Sequence, residues 1–259
     1  MEVFLNPDAW IALLTLTFLE IVLGIDNIIF ISIVTGKLPE EHRKKATKIG
    51  MFLAMFMRIV LLFGITILIA MKEPWFTIDF SWLNAKISGQ SVILFLGGLF
   101  LIYKSTKEIH EKVDLKGEEE KELKQSATKS FRSVILQIIL IDLVFSFDSI
   151  LTAVGMTNGV PGALYIMISA VIISVIIMMQ FAVPVGSFVN KHPSIQILGL
   201  SFLILIGFML VTESAHLSNA LVFGNHVTPV PKGYLYFAIS FSLLVEILNM
   251  KVDKKKEIN

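Results

Sequence analysis

Long apolar segments constrain this 259-residue chain more than any other feature. A bilayer core holds no water, so an apolar run of about 20 residues satisfies its backbone polar groups by forming a helix. The mean hydropathy of +0.77 and a charged fraction of only 17% agree with such a fold. We therefore predict an all-α integral membrane protein with seven transmembrane helices, at about 10–35, 46–71, 88–104, 133–157, 162–189, 195–214 and 232–250.

Two of these segments carry the same acidic motif, from Glu20 to Ile28 and from Asp142 to Ile150. The alignment of the two copies continues without a gap well beyond the motif, to Gly64 in the first and Gly186 in the second. Each copy would hold three helices, an odd number, so the second copy must cross the membrane in the opposite direction. We expect an inverted repeat of two three-helix units plus one C-terminal helix, the architecture of many secondary transporters.

The distribution of charge predicts domain boundaries and orientation. The predicted parts are a first three-helix repeat at 1–104, a charged cytoplasmic linker at 105–132, a second, inverted repeat at 133–216, and a seventh helix with a basic tail at 217–259. Eighteen lysines and arginines fall on one predicted side of the membrane and three on the other. Positive charge stays cytoplasmic, which predicts a multi-pass protein of the cell membrane with its N-terminus outside and its C-terminus in the cytoplasm.

Carboxylates within apolar helices are costly and usually face an ion, a partner charge or a water path. Neutral oxygens follow the second acid of each motif, and the chain has no cysteine. Such oxygen ligands favour Mg²⁺, Ca²⁺ or Mn²⁺ over Zn²⁺ or Cu⁺. The candidate metal ligands are Glu20, Asp26, Asn27, Asp142, Asp148 and Ser149.

Inversion would place Glu20 at the depth of Asp148, and Asp26 at the depth of Asp142. The two acids of one helix point in different directions unless the helix breaks, and Gly24 favours such a break. Three further polar residues are candidates for an accessory ion pathway: Arg58, Gln180 and Glu213. The competing interpretation is that the acids bind only one another, a proton or Arg58.

Two other sets of residues favour packing roles. The glycines at 97, 98 and 199 predict close helix packing rather than ligand contact. Met178 and Met179 are interpreted as ordinary lipid-facing or packing residues.

The segments around Glu20-Ile-Val-Leu-Gly-Ile-Asp26-Asn27 and Asp142-Leu-Val-Phe-Ser-Phe-Asp148-Ser149 resemble the TerC family of bacterial integral membrane proteins. The resemblance covers nearly the whole chain. It implies a relation to the LysE-like exporters, export of Mn²⁺ from the cytoplasm, and roles in ion passage for Glu20, Asp26, Asp142 and Asp148. The residues alone indicate a hard-cation transporter with an inverted repeat, and the choice of manganese comes from the resemblance.

The leading hypothesis is therefore a secondary transporter, not an enzyme, with no resident cofactor and Mn²⁺ as the transported ion. Its expected partners are the lipid bilayer and the metal ion, without nucleic acid, and a homo-oligomer or another membrane protein stays open. The alternatives are an exporter or exchanger of Ca²⁺ or Mg²⁺, one coupled to protons, or a membrane scaffold or assembly factor without transport. An intramembrane aspartyl protease is disfavoured because neither motif contains Gly-x-Gly-Asp.

Overall fold

The computed structural model describes residues 7–114, 130–157 and 159–256, without the side chains of Asp26, Asp114 and 253–256. These ranges contain eight helices and four short strands. The helices are α1 (Pro7–Thr35), α2 (Glu40–Phe63), α3 (Ile65–Ala70), α4 (Gly89–Asp114), α5 (Phe131–Met156), α6 (Ala163–Lys191), α7 (Pro193–Leu217) and α8 (Lys232–Lys256). The strands are β1 (Pro74–Asp79), β2 (Leu83–Ser88), β3 (Leu221–Val222) and β4 (Asn225–His226).

Six helices within the described ranges are long and apolar enough to cross a membrane: α1, α2, α5, α6, α7 and α8. The third predicted span corresponds to α4, which is not among the six. Polar residues at both ends of α4 leave a short apolar stretch from Val92 to Tyr103. The multi-pass helical prediction is thus confirmed, and the seventh span stays a prediction.

Most helices follow the predicted ranges to within about six residues, and two larger differences concern α2 and α4. The predicted span at 46–71 is divided at Gly64, where α2 ends and α3 begins. Helix α4 extends ten residues beyond its predicted end at 104, into the predicted linker. Its last turns hold an ion pair between Lys104 Nζ and Glu108 Oε1 at 2.9 Å, a spacing that stabilises helices. Residues 115–129 of that linker lie outside the described residues.

The helices divide into two compact units that are interleaved along the sequence. One unit contains α1, α2, α3, α5 and α6, and it holds all the buried acids of the two motifs that the structure describes. The other contains α4, α7, α8 and the strands. The first two helices of each predicted repeat therefore share one unit, and the third helices share the other.

Contacts in the first unit define the relative directions of its helices. Gly24 on α1 meets Met178 on α6, and Gly186 on α6 meets Ser32 on α1. The two residue numbers rise together, so α1 and α6 run parallel. Helices α2 and α5 are also parallel, because Gly50 meets Ile138 and Arg58 meets Ser146.

In the second unit, α4 and α7 pack antiparallel. Ser214 Oγ on α7 donates a hydrogen bond of 2.6 Å to the carbonyl oxygen of Ser91 near the start of α4. Lys112, near the end of α4, contacts Gln196 near the start of α7. Between these contacts, a Cβ built on Gly98 would lie only 2.6 Å from the carbonyl oxygen of Gly207. The prediction of close packing is confirmed at Gly98.

The prediction of an all-α protein is wrong in one respect, because the second unit contains a four-stranded antiparallel sheet in the order β1-β2-β3-β4. Apolar and polar residues alternate along β2 and along β1 from Phe76 to Asp79, the two-residue period of a strand. Strands β1 and β2 lie mostly between the predicted spans 46–71 and 88–104, where no strand was predicted. The paired register places Ile78 opposite Ala85 and Thr77 opposite Lys86, which gives the hairpin one apolar and one polar face.

Candidate functional site

The candidate site is centred on Arg58 of α2, whose side chain is buried in the first unit. Its guanidinium binds two carboxylates: Nη1 pairs with Glu20 Oε2 on α1, and Nη2 donates to Asp142 Oδ1 on α5 at 3.1 Å. Its Nε donates to Ser146 Oγ at 3.0 Å. The planar fork of arginine suits such convergent acceptors, so one side chain joins three helices.

Asp142 accepts further hydrogen bonds from two neighbours. Asn27 Nδ2 on α1 donates to Asp142 Oδ1 at 3.2 Å, and Ser146 Oγ, one helical turn along α5, donates to Asp142 Oδ2 at 3.0 Å. Both carboxylate oxygens are therefore engaged. The amide oxygen of Asn27, Oδ1, takes no part in this hydrogen bond and remains a ligand candidate.

Burial makes the charge balance of this cluster important. Glu20 is 3% exposed, Asp142 6% and Arg58 4%, so water solvates none of the three charges well. Their formal sum is −1, since one guanidinium faces two carboxylates. In a low-dielectric interior this arrangement attracts a further cation, while removal of one partner leaves an uncompensated charge.

A small cavity adjoins the cluster within the first unit. Its volume is about 20 Å³, which is enough for about one water molecule or a dehydrated metal ion. The polar side chains on its wall are Asn27, Arg58 and Asp142. The remainder of the wall is apolar or sulfur-containing: Gly24, Ile28, Ile31, Met51, Ala54, Met55, Val175 and Met178.

Gly24 lies in the wall of the cavity and has a different role from the predicted one. Helix α1 continues without interruption through this residue, so the prediction of a helix break is wrong. A Cβ built on Gly24 would overlap Met178 Sδ, which packs directly on the α1 backbone. Glycine here leaves room for the close approach of a side chain from α6 and does not unwind the helix.

The structure brings together four of the nine residues predicted for the site: Glu20, Asn27, Arg58 and Asp142. Glu20 and Asp142, which were predicted to lie at different depths in the membrane, bind the same guanidinium. Asp26 lies on α1, and its side chain is outside the part of the structure that is described.

The other four predicted residues lie outside this cluster. Ser149 is buried on α5 and donates to the carbonyl oxygen of Ser146 at 3.2 Å. Asp148 is half-buried on the same helix, and Gln180 is exposed on α6. Glu213 is half-buried on α7, which belongs to the second unit. Among the side chains that the structure describes, no three His, Asp or Glu residues gather into a potential metal site.

Sequence reasoning missed two residues of the site. Ser146 aligns with Gly24 between the motif repeats, and this position was the signal that could have marked it as a site residue. Met178, interpreted as a lipid-facing or packing residue, is buried and packs on Gly24, and it also lines the cavity. A methionine lacks charge and periodic pattern, so only its position opposite Gly24 distinguishes it.

Comparisons with known proteins agree with the resemblance seen in the motifs. The inner membrane protein YgdQ of Escherichia coli K12, described as UPF0053, is 48% identical over 98% of this chain and 97% of its own length. A UPF0053 protein of Haemophilus influenzae is 44% identical, with 96% of each chain covered. YoaE of Escherichia coli K12, also described as a UPF0053 inner membrane protein, is 43% identical over 96% of this chain, which covers only 44% of YoaE.

No solved structure matches the chain. The sequence model of the family described as "Integral membrane protein TerC family" matches residues 5–257, which include both acidic motifs. The chain belongs to the TerC family of integral membrane proteins.

Proposed function

We propose that this protein is a secondary transporter that exports a divalent metal ion, Mn²⁺ in the first place, from the cytoplasm. The observation that carries the proposal is the buried cluster of Glu20, Asp142 and Arg58 beside a cavity of about 20 Å³. Ionisable groups buried within membrane helices mark ion pathways more often than structural contacts. The choice of Mn²⁺ over other divalent ions rests on the family resemblance.

The cluster offers a cation both ligands and a competitor. Asp142 and the amide oxygen of Asn27 supply oxygens at the cavity, while the formal charge of −1 favours an incoming positive ion. Arg58 binds Asp142 Oδ1, so a metal ion that approaches this oxygen competes with the guanidinium. If the guanidinium gives up Asp142, it keeps Glu20 and Ser146 as partners.

The directions of the helices support the inverted repeat and the seven spans. An inverted repeat requires α1 to run parallel to α6, α2 parallel to α5, and α4 antiparallel to α7, and the contacts within each unit have these directions. The charge asymmetry of the sequence supports an outer N-terminus and a cytoplasmic C-terminus. The site then lies between helices of both repeats, as in other transporters of this architecture.

Transport by the purified full chain in proteoliposomes tests this proposal. A Mn²⁺-sensitive dye inside the vesicles reports flux, and Ca²⁺ and Mg²⁺ are tested in parallel. We expect Asp142→Asn and Glu20→Gln to lose most Mn²⁺ flux, because each removes a carboxylate from the cluster. Glu40→Gln, at the exposed start of α2, is the control and should retain wild-type flux.

Two results would contradict the proposal in different ways. Wild-type flux in a well-folded Asp142→Asn protein would show that the cluster is a structural ion pair outside the pathway. Absence of flux for every divalent ion with wild-type protein would favour a scaffold or assembly role.

A further inference from the structure

Three methionines line the cavity beside the acidic cluster. Met51 and Met55 belong to α2, and Met178 belongs to α6. They share the cavity wall with Asn27 and Asp142, so thioether sulfur and oxygen ligands face the same small volume. The acidic motifs by themselves indicated only oxygen ligands.

The sulfur of Met178 packs against the backbone of α1 at Gly24. Its Sδ packs against Gly24, where any larger residue would overlap it, and its Cε would lie 3.0 Å from a Cβ at that position. Met178 is also buried, at 6% exposure. The parallel packing of α1 and α6 therefore places the Met178 thioether against α1 at Gly24, one helical turn from Glu20 along the helix, and in the same cavity wall as Asn27.

Met178 does not fill all of the space beside it. A cavity with room for about one water molecule or ion is lined by the sulfur-containing side chains together with Asn27, Arg58 and Asp142. A void with both polar and polarisable walls is suited to a small, partly dehydrated cation.

The two ligand types discriminate between classes of metal. Ca²⁺ and Mg²⁺ are hard ions that take oxygen ligands and gain nothing from a thioether. Transition-metal ions accept sulfur, increasingly so as they become softer. A thioether also carries no proton at any physiological pH, so its contribution does not depend on protonation.

We propose that Met178 is a direct thioether ligand which makes the site selective for transition-metal ions over Ca²⁺ and Mg²⁺. The inference rests on the proposed function, because it requires that the cavity binds a divalent metal. It gives a structural cause, the Met178 thioether, for a preference among metal ions that otherwise rests on the family resemblance.

The test is metal binding to the purified full chain, measured by calorimetry with Mn²⁺, Cd²⁺, Ca²⁺ and Mg²⁺ separately. Met178→Leu removes the sulfur and nearly conserves the volume, so the fold should tolerate it. We expect affinity for Cd²⁺ to fall by about tenfold or more and affinity for Mn²⁺ to fall by less, while affinity for Ca²⁺ and Mg²⁺ changes by less than about twofold. Met179→Leu, the adjacent residue outside the cavity wall, is the matched control and should leave all four affinities unchanged.

X-ray absorption at the Cd edge provides a second measurement that does not depend on a variant. The wild-type protein should show a sulfur neighbour of the bound Cd²⁺. Absence of sulfur in that spectrum overturns the inference. So does a Met178→Leu protein whose affinity for all four ions falls by the same factor, or whose four affinities are all unchanged. Wild-type protein that binds none of the four ions overturns the proposed function itself, so the two failures are distinguishable.

Discussion

Replacement of Arg58 by methionine tests whether the cluster contains truly buried charges. The guanidinium makes contacts to Glu20, Asp142 and Ser146, and both acids are less than a tenth exposed. Methionine fills a similar volume without charge. The buried carboxylates of Glu20 and Asp142 would then lie near each other without a counterion. Loss of one partner from a buried pair costs about 3–5 kcal/mol, and we expect Arg58→Met to lower the free energy of unfolding by at least that amount.

Further variants separate charge from packing. Asp142→Asn leaves Arg58 paired with Glu20 and removes one charge-assisted contact, so we expect a loss of about 1–3 kcal/mol. Arg58→Met combined with Glu20→Gln and Asp142→Asn removes all three charges. That triple variant should recover most of the stability lost in Arg58→Met, because no uncompensated charge remains buried.

The assay is equilibrium unfolding of each purified variant in mixed micelles, followed by loss of helical circular dichroism. Arg43→Met is the matched control, since Arg43 is half-exposed, lies 3.8 Å from Glu40 and donates one hydrogen bond to a backbone carbonyl. We expect this control to lose about 1 kcal/mol. An Arg58→Met protein that is no less stable than Arg43→Met would refute the assignment of buried, mutually dependent charges.

The remaining predictions concern orientation and the second unit. In this cysteine-free chain, cysteine at Lys44 should react with an impermeant thiol reagent only from the cytoplasm, and cysteine at Lys86 only from outside; labelling of both from one side would exclude the predicted topology. Gly98→Ala should lower the free energy of unfolding by about 1–3 kcal/mol, because the new Cβ would lie 2.6 Å from the carbonyl oxygen of Gly207. Gly155→Ala is its control, with nothing within 4 Å of the new Cβ, and thermal unfolding that ranks Gly98→Ala as the more stable would contradict the close approach.

The sequence predicted most helices of this fold because apolar length alone determines them in a membrane. It did not predict the sheet, since the aromatic residues around Trp75 and Phe76 resemble an interfacial loop as well as a strand. The extension of α4 to Asp114 was missed for a related reason. Mixed charge with few apolar residues indicates a linker by composition, yet the spacing of Lys104 and Glu108 stabilises a helix.

The candidate site shows a similar division. The motif repeats identified Glu20, Asn27 and Asp142, because buried acids in apolar helices are rare enough to be informative. The pattern could not predict that Arg58 would bind two of the acids at once, since this depends on how α2 packs between α1 and α5. It also could not predict that Gly24 admits a sulfur atom from α6, because that contact joins residues far apart in the chain.

Among the positions at which the two copies of the acidic motif differ, the pair Gly24 and Ser146 shapes the site most directly. Ser146 in the second copy accepts a hydrogen bond from the guanidinium of Arg58, whereas Gly24 in the first copy contacts the thioether of Met178. Arg58 of the first copy thus brings a positive charge to the cavity wall, and Met178 of the second copy brings a neutral thioether. A transported ion must bind well enough to enter and weakly enough to leave. In the proposed mechanism the thioether favours entry of a transition metal, while the competing guanidinium limits its affinity and so permits release.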